Sequence, residues 1–91
     1  MKNEQSSEQL TSIPGVGKSI AKDLWNIGIT KVSDLKGQSP EWIYEQSNKQ
    51  VGVVQDRCLL YVFRCAVYYA ETDEEHRDKE KLKWWNWKDK R

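Results

Sequence analysis

The sequence predicts an all-α fold, a compact bundle of about five short helices, and three observations lead to it. Apolar residues recur at helical spacing in several windows, while runs of strict alternation are absent. Helix start and stop residues punctuate the chain at short intervals. The 91 residues make one domain's worth of chain, 37% apolar and 32% charged, so the expectation is a single folded domain over residues 1–91.

The elements follow from local chemistry. Ser6 followed by Gln9 is a capping-box pattern, so a first helix should run to about Ser12 with Leu10 facing inward and residues 1–5 flexible. Ile13-Pro14-Gly15-Val16-Gly17 breaks it, because proline lacks a donor and glycine reaches dihedrals closed to other residues. A second helix is expected over residues 18–26, with Ile20, Ala21, Leu24 and Trp25 forming one buried face and Gly28 as a left-handed cap. Thr30 can cap a short third helix that uses Val32 and Leu35 and stops at Gly37. Ser39-Pro40 starts a fourth, presenting Trp42 and Ile43 inward with Glu45 and Lys49 as an outer pair. Asp56 can cap a fifth, residues 57–71, which is apolar on nearly every side and should be the central helix. Residues 72–91 form a charged, Trp-rich tail.

Charge sets limits on partners. The formal net charge is +1, from 15 basic and 14 acidic residues, whereas strong DNA binders are basic overall. The distribution is uneven. Residues 13–36 hold four lysines against Asp23 and Asp34, and residues 77–91 hold seven basic against three acidic residues. Glu71, Asp73, Glu74 and Glu75 form an acidic cluster between them. The first nine residues are polar, which argues against a signal peptide, and the apolar run 58–70 is too short to span a bilayer and contains Arg64. The expected location is the cytoplasm, with no membrane partner.

The segment GVGKSIA has the pattern glycine, apolar, glycine, three residues, alanine. Such a turn brings a phosphate oxygen close to the main chain, and the following helix points its free N–H groups and positive dipole end at it. The expected binding residues are Gly15, Val16, Gly17, Lys18, Ser19 and Lys22, with both glycines needed for the turn and the two lysines adding charge. Contacts of this kind hold a backbone without reading bases. The competing reading is a plain helix connector, or a surface for a protein partner.

IPGVGKSIAKDLWNIGITKVSDL is similar to the helix-hairpin-helix units of DNA repair and processing proteins. Together with CLLYVFRCAVYYA and KWWNWKD, the chain resembles the bacterial pathogenicity-locus family, whose members are often labelled mitomycin-resistance proteins. The likeness runs from about Leu10 to Asp89. It implies a helix-hairpin-helix, SAM-like domain from a bacterium with a link to DNA damage. Paired domains of this class grip two strands through two glycine hairpins, but the stretch from Gly37 to Pro40 lacks a second GxG, so affinity should be low. The likeness also raises a monovalent cation held on the carbonyls of Ile13 and Val16; no other cofactor is expected.

Other chemistry is weakly supported. GVGKS lacks the first glycine of a Walker motif at the required spacing. Cys58 and Cys65 stand roughly 10 Å apart along one helix face, too far for a disulfide, and are read as core packing. His76 is the single histidine, so a metal site or a Cys65–His76 nucleophile pair has little to build on. Tyr61, Tyr68 and Tyr69 read as core and rim residues. Trp84, Trp85 and Trp87, between Lys83 and Lys88, could stack on unpaired bases, but are expected to fold back on the core with one ring partly exposed. No enzymatic activity is expected.

Overall fold

Every regular element in the described residues, 9–88 of the computed structural model, is helical. There are three α-helices rather than about five: α1 (Lys18–Asn26), α2 (Pro40–Val51) and α3 (Cys58–Glu71). The remaining elements are single 3-10 turns at Leu10–Ser12, Val32–Leu35, Glu74–His76, Lys79–Leu82 and Trp84–Trp87. The expected third helix is therefore a turn, and so is the described part of the first. The capping serine expected at position 6 lies outside the described residues. What is seen of the first element is one turn, with Leu10 buried, ending where Ile13 adopts an extended conformation. The third element lies between Gly28 at φ +96° and Gly37 at φ +78°, a stretch too short for a stable helix once its costly nucleus is counted. Thr30 does not cap it. Its N–H and hydroxyl instead both donate to the Asp34 carboxylate, at 3.0 and 3.2 Å.

The α-helices have the ends their sequences call for. The Ser39 hydroxyl accepts from the Trp42 N–H at 3.2 Å, with Pro40 in the first helical position. Gly52, at φ +85°, closes α2 and donates its N–H to the Asn48 carbonyl at 2.8 Å. Asp56 accepts from the Cys58 N–H at 2.9 Å, so α3 begins one residue later than Asp56 capping alone suggested. Adjacent residues on a helix point about 100° apart. That is why Ile43 is fully buried while its neighbour Trp42 is 41% exposed, against the expectation that both turn inward.

One polar hinge ties α2 to the connection that follows. Gln55 donates from its side-chain amide to Ser47 and Asn48 and from its backbone to Asn48, and its carbonyl accepts from the Tyr44 hydroxyl. Ser47 is the buried polar residue of the core, and this bond satisfies it.

The centre is α3, whose Leu60, Val62, Phe63, Cys65, Ala66, Val67, Tyr69 and Ala70 are buried. Leu24 of α1, Ile43 of α2, and Leu10, Ile13, Val16, Ile29, Val32 and Leu35 of the turns close around it. The C-terminal segment covers what is left. Arg64 donates to the Trp87 carbonyl at 2.8 Å and to Glu41 at 3.3 Å. The Trp87 indole N–H donates to the Lys81 carbonyl at 2.7 Å, and its ring meets Tyr68 with centroids 5.6 Å apart. Arg77 lies over the Tyr69 ring at 3.6 Å and donates to the Tyr69 carbonyl. Trp84 packs on the core, Trp87 is half-buried and Trp85 stays 49% exposed. No helix among the described residues is long and apolar enough to cross a membrane.

Candidate nucleic-acid interface

The turn at residues 13–17 is shaped by its two apolar anchors. Ile13 and Val16 are buried, and the Val16 N–H donates to the Ile13 carbonyl at 3.0 Å. With both ends of the loop pinned inward, Pro14, Gly15 and Gly17 are left on the surface. The Val16 side chain therefore belongs to the core, so Val16, like the two glycines, could offer only main chain. Gly15, Gly17, Lys18, Ser19 and Lys22 are all exposed.

The two glycines differ in kind. Gly15 has φ +90°, a conformation L-residues rarely adopt. Gly17 sits at φ −93° and ψ −172°, ordinary extended backbone, and a Cβ there would meet nothing within 4 Å. The expectation that both glycines are needed for the turn is corrected: only Gly15 is. The side of Gly15 where a Cβ would stand is also taken, because Trp84 of the tail lies 3.2 Å from that point. The tail thus buttresses the turn, a contact between residues 69 positions apart that no local pattern announces.

Gly17 is the N-cap of α1, and it provides no side-chain cap. Its carbonyl accepts from the Ala21 N–H at 2.9 Å, which starts the helical ladder. The first N–H groups of a helix have no intrahelical partner, and a capping side chain would ordinarily take one or two. Here the cap is bare, the flanking surface is open, and Lys18 and Lys22 stand beside it. Among the described residues neither lysine makes an ion pair. The arrangement suits an anion held by main-chain N–H groups with cationic support.

The buried face of α1 is narrower than the sequence reading had it. Leu24 is fully buried, Ile20 and Ala21 are half-buried, and Trp25 is 60% exposed rather than part of the core. Thr11, Lys18, Ala21, Lys22, Trp25 and Asn26 line one shallow depression. Trp25 is the residue that sequence reasoning missed. Its spacing of three and seven from Lys22 and Lys18 was the available signal, since those intervals share a helix face.

The remaining sequence candidates separate. Cys65 is buried, its thiol contacts the Lys81 carbonyl, and burial pushes its pKa up to about 11. Cys58 is exposed at the start of α3, which corrects the reading of both cysteines as core. The Asp56 carboxylate beside it raises its pKa, the opposite of what a nucleophile requires. His76 is exposed and 3.9 Å from Asp73, so it does not meet Cys65. Among the described residues no three His, Cys, Asp or Glu side chains gather into a metal site.

Residues 3–91 match the family described as Pathogenicity locus, Cdd1. The chain belongs to the pathogenicity-locus family. A curated relative is the mitomycin resistance protein McrB of Streptomyces lavendulae, 37% identical over 62 residues. That match covers 68% of this chain and 59% of the relative, so the pathogenicity-locus chain spans little more than half of that protein's length. No solved structure matches it. The comparisons thus relate this pathogenicity-locus chain to a protein named for drug resistance.

Proposed function

We propose that this chain is a non-enzymatic module that holds a nucleic-acid backbone without reading its sequence, through a helix-hairpin-helix-like turn at residues 13–17. The observation that carries the reading is the bare N-cap of α1. Gly17 supplies no capping side chain, its surroundings are open, and Lys18 and Lys22 flank it. Gly15, Gly17, Lys18, Ser19 and Lys22 would make the contact, while Val16, its N–H bonded to the Ile13 carbonyl and its side chain buried, would set the turn. A monovalent cation at the Ile13 and Val16 carbonyls would share Ile13 with the Val16 N–H already bonded there. Kinship with a mitomycin resistance protein supports a role in drug resistance.

Titration of labelled DNA at low salt tests this. With two or three phosphates engaged, raising salt from about 50 to 200 mM weakens binding roughly tenfold to fortyfold. Absence of binding at low salt refutes it.

A second reading has its own observation. Val51, Val53 and Val54, at the end of α2 and in the connection to α3, are 45%, 64% and 83% exposed. Such an apolar surface favours a protein partner, and the chain would then be an interaction domain with no nucleic-acid contact.

A further inference from the structure

We propose that the outer face of α1 is a single-strand platform, with Trp25 stacking on an unpaired base while Lys18 and Lys22 hold the adjoining backbone. This rests on the nucleic-acid reading above and deepens it, by naming the form of nucleic acid and a residue that makes the choice.

Three observations converge on one face. Lys18, Lys22 and Trp25 follow one another at intervals of four and three residues, and all three line the same shallow depression with Thr11, Ala21 and Asn26. Trp25 is 60% exposed, so a ring face is accessible instead of being spent on the core. Lys18 and Lys22 make no ion pair among the described residues, so their charge is available to phosphate. The distances fit a strand laid along the helix. Lys18 and Lys22 are about 6 Å apart along the axis and Trp25 about 10 Å from Lys18. A backbone phosphate at the bare N-cap of α1 therefore leaves a base a nucleotide or two away over the indole.

The chemistry selects the occupant. A base inside a duplex presents only its edges, because both its faces are stacked on neighbours. An unpaired base presents a face, and an aromatic ring binds any of the four through it. Cations beside an exposed indole make the patch complementary to a polyanion carrying aromatic rings. Two of the tail tryptophans serve this poorly, Trp84 being committed to Gly15 and the core and Trp87 to Lys81 and Tyr68, while the exposed Trp85 meets Trp84 edge-on.

The test compares a labelled 20-nucleotide thymidine strand with a mixed-sequence duplex of equal length at about 50 mM salt, for the parent protein, Trp25→Ala and Trp25→Phe. Because Trp25 is largely outside the core, both variants fold, which a thermal melt checks. The parent binds the single strand several-fold more tightly than the duplex. Trp25→Ala loses roughly tenfold or more on the single strand and little on the duplex, in line with the worth of one stacked base, and Trp25→Phe retains most of the preference. Equal binding of both forms by parent and Trp25→Ala overturns the platform while leaving backbone binding intact. No binding of either form by the parent overturns both readings and points to a protein partner.

Discussion

Helices α1 and α3 lie in the same fold and are put to opposite uses. In α3, eight of fourteen residues are buried, neighbouring elements and the tail close around it, and even Arg64 is bonded into the covering segment. In α1, Leu24 alone is buried, the N-cap is bare, and two lysines and a tryptophan face outward. An apolar helix enclosed by its neighbours has no surface left for chemistry. A helix that fully buries one residue in nine, with Ile20 and Ala21 half-buried against the core, keeps its outer face for a ligand. The candidate site therefore sits where the fold spends least on packing.

The contrast is tested most strongly by truncating one aromatic from each helix. Phe63→Ala removes a fully buried ring and costs about 3–5 kcal/mol by chemical denaturation, a large part of a small domain's stability. Trp25→Ala removes a larger ring yet costs about 0.5 kcal/mol or less, as exposed substitutions do. Comparable losses for the two would erase the distinction between core helix and surface helix.

The paired glycines sharpen it within the turn. Gly15→Ala puts a Cβ into a left-handed conformation and against Trp84, and costs about 1–3 kcal/mol. Gly17→Ser meets neither obstacle and supplies a better cap, so stability rises by a few tenths of a kcal/mol. The same serine occupies the N–H groups offered to phosphate, so DNA affinity falls several-fold in a protein that is better folded. If Gly17→Ser binds DNA as the parent does, the turn is only a connector.

The smallest effect is at the Val32–Leu35 turn, between α1 and α2. Hydrogen bonds from the Thr30 N–H and hydroxyl hold the Asp34 carboxyl below the ordinary aspartate pKa. A depressed folded-state pKa gives stability that is present above the unfolded value near 3.8 and is lost as pH falls through the folded value. Denaturation midpoints measured at about pH 7 and pH 3 should therefore differ less in Asp34→Asn than in the parent. An identical difference would mean that Thr30 and Asp34 do not hold the turn.

How much was legible follows the range of the interactions. The bounds of α1, the Ser39 cap and Pro40 start of α2, the left-handed Gly28, the stop at Gly37 and the central place of α3 all rest on neighbours within a few positions. The expected helix after Thr30 is a single 3-10 turn, because a helix nucleus is costly and the segment lies between Gly28 and Gly37. Among the candidate site residues Gly15, Gly17, Lys18, Ser19 and Lys22 are exposed and Val16 is buried, while Trp25, expected on the buried face of α1, faces water. Apolar character alone cannot say which of two adjacent residues turns inward, since that depends on where the partner helix lies.

The sequence by itself determined an all-helical chain, its turn chemistry and the pathogenicity-locus family, because these are written in local residue patterns and in likeness along the chain. Tertiary structure alone decided that Trp84 braces Gly15, that Arg64 ties the tail to α3, and that Trp25 faces water. Each of these depends on segments distant in sequence competing for the same core surface, and only packing in three dimensions settles which side chain takes it.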